Sequence, residues 1–404
     1  MIISSLTRVA KRVFGAYIQG SKLAESLKEY EIIRRVDLSD ESKRCFNQRV
    51  ARPKKRKLSI AFIIPGMPRY SGGHTSILRL GTYLSEYGHE VYYVSYIPQS
   101  ISEMKANAEY NLRGYRGEIY GPEGLTEYEY DVGIATYWLS AYYLWNMDNV
   151  KYKAYFVQDY EPDFYPVSDI RVFVENTYRM NYHMISLGIW PKMRIEEKLG
   201  ISIDSITFPY EPNEYWPASN WKQKFVDKKH IKITVYMKDA PKRGIMFLLM
   251  ALEELYTRAR KKGYMLDIVF FSTDKRLKYP LSIPYRNLGR PSKDMLRKLY
   301  QESDLCVSLS YTNISLVTLE MMACGCPVVE VYEGSFNTYF SSECAILVKS
   351  YPEDFAEKVL WYIERPRERM QIAEKAMKSL EGRTWRRASQ EFNRILLKGF
   401  NNER

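Results

Sequence analysis

Two α/β domains of the doubly wound, Rossmann-like type, set in series to face a cleft behind an N-terminal helical extension, are what this sequence predicts. Three observations lead there: 404 residues with 46% hydrophobic content, two successive runs of strand, loop, helix and strand, and a basic stretch that ends just before the first strand. A single core stops growing at about 250–300 residues, so a chain of this length divides into two.

The extension is expected over residues 1–57. It holds 15 of the 60 Lys and Arg but 6 of the 48 Asp and Glu, so most of the net charge of +12 belongs to it and not to the folded body. That distribution argues against a nucleic-acid binder. Ile2, Ile3, Leu6, Val9, Val13, Phe14, Tyr17 and Ile18 recur at helical spacing opposite Arg8, Lys11 and Arg12. Such a basic amphipathic helix can lie on an anionic membrane surface or dock on the protein or on a second copy in a homodimer, docking being the plainer reading. Residues 54–57 are expected to be a solvated linker. No run of about 18 apolar residues and no signal-peptide core occur. Five cysteines without C-x-x-C spacing suit reduced thiols. A cytoplasmic protein is expected, or one at the inner face of the membrane.

The first domain is expected over 58–209. Residues 58–64 read as a buried strand, 65–73 as a loop, 75–87 as a helix and 90–95 as a second strand, a βαβ unit that implies a parallel sheet. Apolar runs at 132–135, 154–157 and 206–208 extend it. After a linker at 210–229, the second domain (230–384) repeats the pattern. Strands are expected at 231–236, 265–271, 305–309 and 327–331, and helices at 243–262, 292–302 and 315–324. Residues 385–404 form a terminal helix. Ligands of such sheets sit beyond the carboxyl ends of the strands.

Neither first strand is followed by G-x-G-x-x-G, and no G-x-x-x-x-G-K-[ST] occurs, so dehydrogenase and P-loop readings lose their main support. In the first domain, Gly72 and Gly73 stand at a helix start, where backbone approaches a ligand closely, and His74 follows. In the second, Lys238 and Arg243 flank a turn where a diphosphate would lie, and two cations there offset the charge of a departing nucleoside diphosphate. Asn313 and Ser315 lead into a helix whose first amides, near Ser315 and Leu316, suit phosphate oxygens, and Glu320 on that helix can accept from a ribose diol. The sequence has no D-x-D and its four histidines are scattered, so no metal is expected. Aromatic residues between Tyr137 and Tyr165 could stack on sugar rings, but most are read as core.

The run Leu319-Glu320-Met321-Met322-Ala323-Cys324-Gly325-Cys326-Pro327-Val328-Val329 resembles the L-E-A-M-A-C-G-x-P-V-V signature of family 4 glycosyltransferases of GT-B fold. Gly72-Gly73 with Gly88-His89-Glu90-Val91 resembles that family's first-domain pattern, and Lys238 to Gly244 its R-x4-K-G phosphate loop with the cation types exchanged. Thr384-Trp385-Arg386 is similar to the start of the helix that crosses back to the first domain. The resemblance spans roughly residues 58–400. It implies transfer of a sugar from a nucleotide donor with retention, no cofactor and no metal. Lys238 and Arg243 would hold the diphosphate, and the base would lie against the 287–292 turn with Gly289 and Arg290. Gly73 would also face the donor. His74, Gln158 and Asp159 would be on the acceptor side, Asp159 in the place where relatives carry a catalytic group. Thr312 stands where the family often carries a second Glu, which alters the donor pocket. The polar residues of the loop carrying Thr312, together with residues 158–162, resemble bacterial rhamnosyltransferases that use dTDP-rhamnose to build surface-layer glycans. The expected partners are therefore a dTDP-linked sugar and an oligosaccharide or lipid-linked acceptor. The rival reading is a nucleotide-sugar-binding scaffold without turnover.

Overall fold

The computed structural model describes residues 29–50, 52–273 and 281–402, so the helix expected at 2–18 lies outside the described residues. Two parallel sheets form the body. The first contains β1 (Ser59–Ile64), β2 (Glu90–Ser95), β3 (Glu118–Tyr120), β4 (Tyr130–Ala135), β5 (Val150–Val157), β6 (His183–Leu187) and β7 (Asp204–Ile206), in the order β3-β2-β1-β4-β5-β6-β7. The second contains β8 (His230–Tyr236), β9 (Met265–Phe271), β10 (Arg286–Asn287), β11 (Leu305–Val307), β12 (Val328–Val331) and β13 (Ile346–Val348), in the order β10-β9-β8-β11-β12-β13. Ile60 to Ile64 and Val328 to Val331 are buried without alternation, as strands covered by helices on both faces must be. In each sheet the strand order reverses beside the first strand, which opens a crevice between β1 and β4 and another between β8 and β11.

The helices that position the site begin at those crevices: α1 (Gly72–Glu86), α2 (Trp138–Trp145), α3 (Ile245–Lys261), α4 (Lys293–Glu302) and α5 (Leu316–Ala323). Helix α6 (Trp385–Phe400) returns to the first domain, where Phe392 meets Phe156 edge-on at 5.7 Å and the His89 ring bonds Asn393 Oδ1 at 2.7 Å. The outgoing and returning segments pair where Tyr210 N donates to Arg383 O at 3.0 Å.

Two expectations change. The 54–57 linker is anchored, because Lys55 Nζ bonds both oxygens of buried Asp131 at 2.8 Å. The helix expected from 243 starts at Ile245, so Arg243 sits on the preceding single turn, Pro241–Arg243. The aromatic stretch contains α2, and Trp138, Tyr142, Trp145, Tyr155 and Tyr160 are core, as expected of most of them. The extension also docks: Ile32, Ile33, Val36 and Phe46 pack on the first domain's core, and Asn47 bonds the backbone of Lys153 in both directions at 2.8 Å.

Candidate functional site

The carboxyl ends of the two sheets face each other across a cleft of about 750 Å³. Gly73, His74, Gln158, Asp159, Lys238, Arg243, Arg290, Asn313, Ser315, Leu316 and Glu320 all line it. Gly289 does not, and its positive φ of 66° shapes the turn behind Arg290.

The cations come from the β8–α3 turn. Gly244 adopts φ 56°, and a Cβ there would lie 2.5 Å from the Tyr311 ring, so only glycine lets the turn close against the β11–α5 loop. That closure buries Arg243, whose Nη1 donates to Leu309 O at 3.2 Å while its Nε has no partner. The Lys238 backbone carbonyl accepts from Ala240 N at 2.8 Å, but its ammonium makes no hydrogen bond or ion pair among the described residues. Burial, and then the neighbouring Arg243, Lys242 and Arg290, lower its pKa to about 8. Charge of one sign held in so confined a space is an invitation to an anion.

Opposite stands the N-terminus of α5. Ser315 caps it by accepting from Val317 N, and Leu316 occupies the first helical position, where an N–H has no intrahelical acceptor. One turn on, Glu320 reaches the cleft with its pKa raised to about 7, first by burial and then by Glu214, with Arg79 and Lys293 opposing. A carboxyl poised there can accept from a diol. Glu214, Arg79 and Lys293 went unnoticed in the sequence. Arg79 lies on the buried face of α1 among Ile77, Leu78 and Leu80, and an arginine in that apolar stripe is the signal that could have found it. It bonds Glu214 and Glu211 of the interdomain segment, and Lys293 Nζ bonds Glu214 at 3.0 Å.

Two first-domain assignments need correction. His74 has both ring nitrogens occupied: Nε2–H donates to Gly66 O at 3.0 Å and Nδ1 accepts from Ser71 Oγ at 2.7 Å. Burial lowers its pKa to about 4, so it is a neutral strut of the loop and not a free acceptor ligand. Asp159 is buried, and both its oxygens bond groups of the second domain, so it is not an available catalytic base or acceptor ligand. Gln158 and Gly73 remain on the cleft wall, the Gln158 amide 3.5 Å from where a Gly73 Cβ would stand.

Residues 247–393 match a family model described as glycosyl transferase-like. The HepE structure of Anabaena, solved with UDP-glucose, superposes with a TM-score of 0.66 over 84% of this chain and 99% of its own, at 15% identity. The fold is GT-B. Sucrose-phosphate synthase of Thermosynechococcus elongatus (TM-score 0.62, 15% identity, 85% and 98% covered) and a glycosyltransferase of Rickettsia africae (0.63, 15%, 87% and 100%) share it. In sequence, an alignment 215 residues long that covers 49% of the chain is 26% identical to the O-antigen biosynthesis protein RfbC of Myxococcus xanthus. The match spans 15% of the length of that relative. Among the described residues, no helix of this GT-B protein is long and apolar enough to cross a membrane, and no group of three or more His, Cys, Asp or Glu is placed to hold a metal.

Proposed function

We propose that this GT-B protein transfers a hexose from a nucleoside diphosphate donor to a growing glycan, without metal and with retention, and that the donor is dTDP-L-rhamnose. One observation carries the reading: Lys238, which has no acidic partner among the described residues, and Arg243 line the same crevice as the helix start at Ser315 and the Glu320 carboxyl. A pyrophosphate meets both cations and the first amides of α5, and the charge that grows on it as the sugar leaves is stabilised where it forms. Glu320 takes the ribose, and the base lies against the turn ending at Arg290. The acceptor, an oligosaccharide or lipid-linked glycan, enters along Gly73 and Gln158. The likeness to an O-antigen biosynthesis protein supports a glycan acceptor, and the resemblance of residues 158–162 supports rhamnose.

A thermal-shift series with dTDP, UDP, GDP and ADP tests the donor, because a ligand of the native state raises its apparent stability by mass action. The largest shift is expected with dTDP, followed by release of dTDP from dTDP-rhamnose when a rhamnose-terminated acceptor is added. No shift with any nucleotide overturns the donor site. A shift with dTDP and no transfer to any such acceptor makes the protein a nucleotide-sugar-binding scaffold instead.

A further inference from the structure

Asp159 belongs to the first domain by sequence and to the second by its bonds. Oδ1 accepts from Tyr160 N at 2.9 Å and from Asn313 N at 3.1 Å, and Oδ2 accepts from Lys242 Nζ at 2.8 Å and from Thr312 Oγ1 at 2.9 Å. A carboxylate offers about four lone-pair sites. All are filled, so none is left to take a proton from an acceptor hydroxyl.

What those bonds hold is informative. Lys242 precedes Arg243 in the cationic turn, and Thr312 and Asn313 lead into Ser315 at the start of α5. The two segments also bond each other, Tyr311 N donating to Lys242 O at 3.0 Å. Around Asp159 the same loop is fixed to the first domain twice more, Asn313 Nδ2 donating to Gln158 O at 2.9 Å and to Leu187 O at 3.2 Å. The Lys242 ammonium lies 4.2 Å from the centre of the Phe164 ring, a further contact across the cleft. The Asp159 carboxylate touches both anion-binding segments at once.

We propose that Asp159 is a positioning residue that sets donor affinity from across the cleft, by clamping both phosphate-binding segments of the second domain to the first. The proposal rests on the donor-site reading above. Its logic is that of a competent fraction. With the clamp intact the two segments are prearranged around the phosphate position, and without it the donor must bind a state that is only partly populated, which weakens its apparent affinity by that fraction.

The test compares wild type, Asp159→Asn and Thr312→Val in the full chain. The first keeps the size of the side chain but loses its charge, and the second removes one bond of the four while leaving the carboxylate in place. Calorimetry with dTDP and with UDP gives Kd, small-angle scattering gives the radius of gyration with and without nucleotide, and initial rates give donor KM and kcat. Asp159→Asn is expected to weaken nucleotide binding and raise donor KM by about tenfold or more, while kcat at saturating donor stays within about threefold of wild type. Its nucleotide-free form should be more extended than wild type and contract when nucleotide binds. Thr312→Val should move the same quantities in the same direction by less. If wild type and Asp159→Asn bind nucleotide equally, or if Asp159→Asn loses kcat with Kd unchanged, the proposal is overturned while the donor site stands. Wild type that binds neither nucleotide overturns the donor-site reading and this proposal with it.

Discussion

Replacing Arg243 by alanine separates a site built for a pyrophosphate from a loop that merely carries charge. The guanidinium is buried, 7% exposed, donates once to Leu309 O at 3.2 Å, and keeps an Nε with no partner. Deleting one preorganised donor from a charge-stabilising site lowers rate by about 100–1,000-fold, or about 2.7–4 kcal/mol. The fold loses far less. The Leu309 bond and the approach to the Tyr236 ring at 5.2 Å together contribute about 1–2 kcal/mol. Arg243 is also the charge that depresses Lys238 most, so its removal relieves a like-charge repulsion and offsets part of that loss. Arg243→Ala should therefore lower kcat/KM by about 100-fold or more, measured as nucleoside diphosphate release, while circular dichroism shows the folded protein melting within a few degrees of wild type. Arg243→Lys should fall between, because it restores charge without the planar fork. An alanine variant within about threefold of wild type would refute the placement of the diphosphate at this turn.

The pH profile of kcat/KM should be bell-shaped. It rises as Glu320, at about 7, loses its proton and becomes a diol acceptor, and it falls as Lys238, at about 8, loses the charge that meets the phosphate. Glu320→Gln should abolish the rising limb, and a wild-type profile flat between pH 6 and about 9 would contradict both roles. Gly244→Ala forces a Cβ into the left-handed region and against the Tyr311 ring, so it should weaken nucleotide binding by about tenfold, and wild-type affinity would show that the turn need not close. Exhaustive treatment with EDTA should leave turnover within about twofold of the untreated rate, whereas a loss restored by added Mn or Mg would show that protein cations alone do not carry the phosphate.

The central strands of both sheets were legible because β1, β2, β8, β9 and β12 are apolar runs bounded by glycine, proline or charge. Strands β3, β10 and β13 are two or three residues long, too short for any pattern, and β6 opens on His183 with polar residues before it. The helix Ile101–Asn111 carries Ser, Glu, Lys and Asn on most of its turns and shows little apolar stripe. Lys238, Arg243, Ser315 and Glu320 could be brought together from sequence because each stands just after a strand or at a helix start, and the topology of parallel sheets does the rest. What sequence could not supply is which polar atoms are already taken. His74 looks free until Ser71 and Gly66 are found on its two nitrogens, and Asp159 looks like a base until Lys242, Thr312 and Asn313 are found around it. Glu214 matters because the fold brings Arg79 of α1 and Lys293 of α4 onto its two carboxylate oxygens and sets it near Glu320.

The electrostatics of the crevice follow from where its acids point. Glu330 lies behind the β11–α5 loop and accepts from Ser310 N at 2.9 Å and Val331 N at 3.1 Å, and Glu161 accepts from Trp138 N at 2.7 Å. Each is turned toward backbone, and burial raises each to about 8, so at neutral pH both are held largely as neutral acids. Arg243 opposes the rise at Glu330, and Lys242 opposes that at Glu161. Asp159 has its lone pairs occupied by groups that shape the loops. The acids thus serve as hydrogen-bonding struts, while Lys238 faces the cleft with no carboxylate bonded to it among the described residues. An arriving diphosphate meets Lys238 without displacing a carboxylate from it, and the repulsion from Arg243, Lys242 and Arg290 that lowers the Lys238 pKa is relieved by the act of binding. A site with its cations already paired to carboxylates would have to break those pairs first. Here the repulsion on Lys238 from its cationic neighbours favours the bound state.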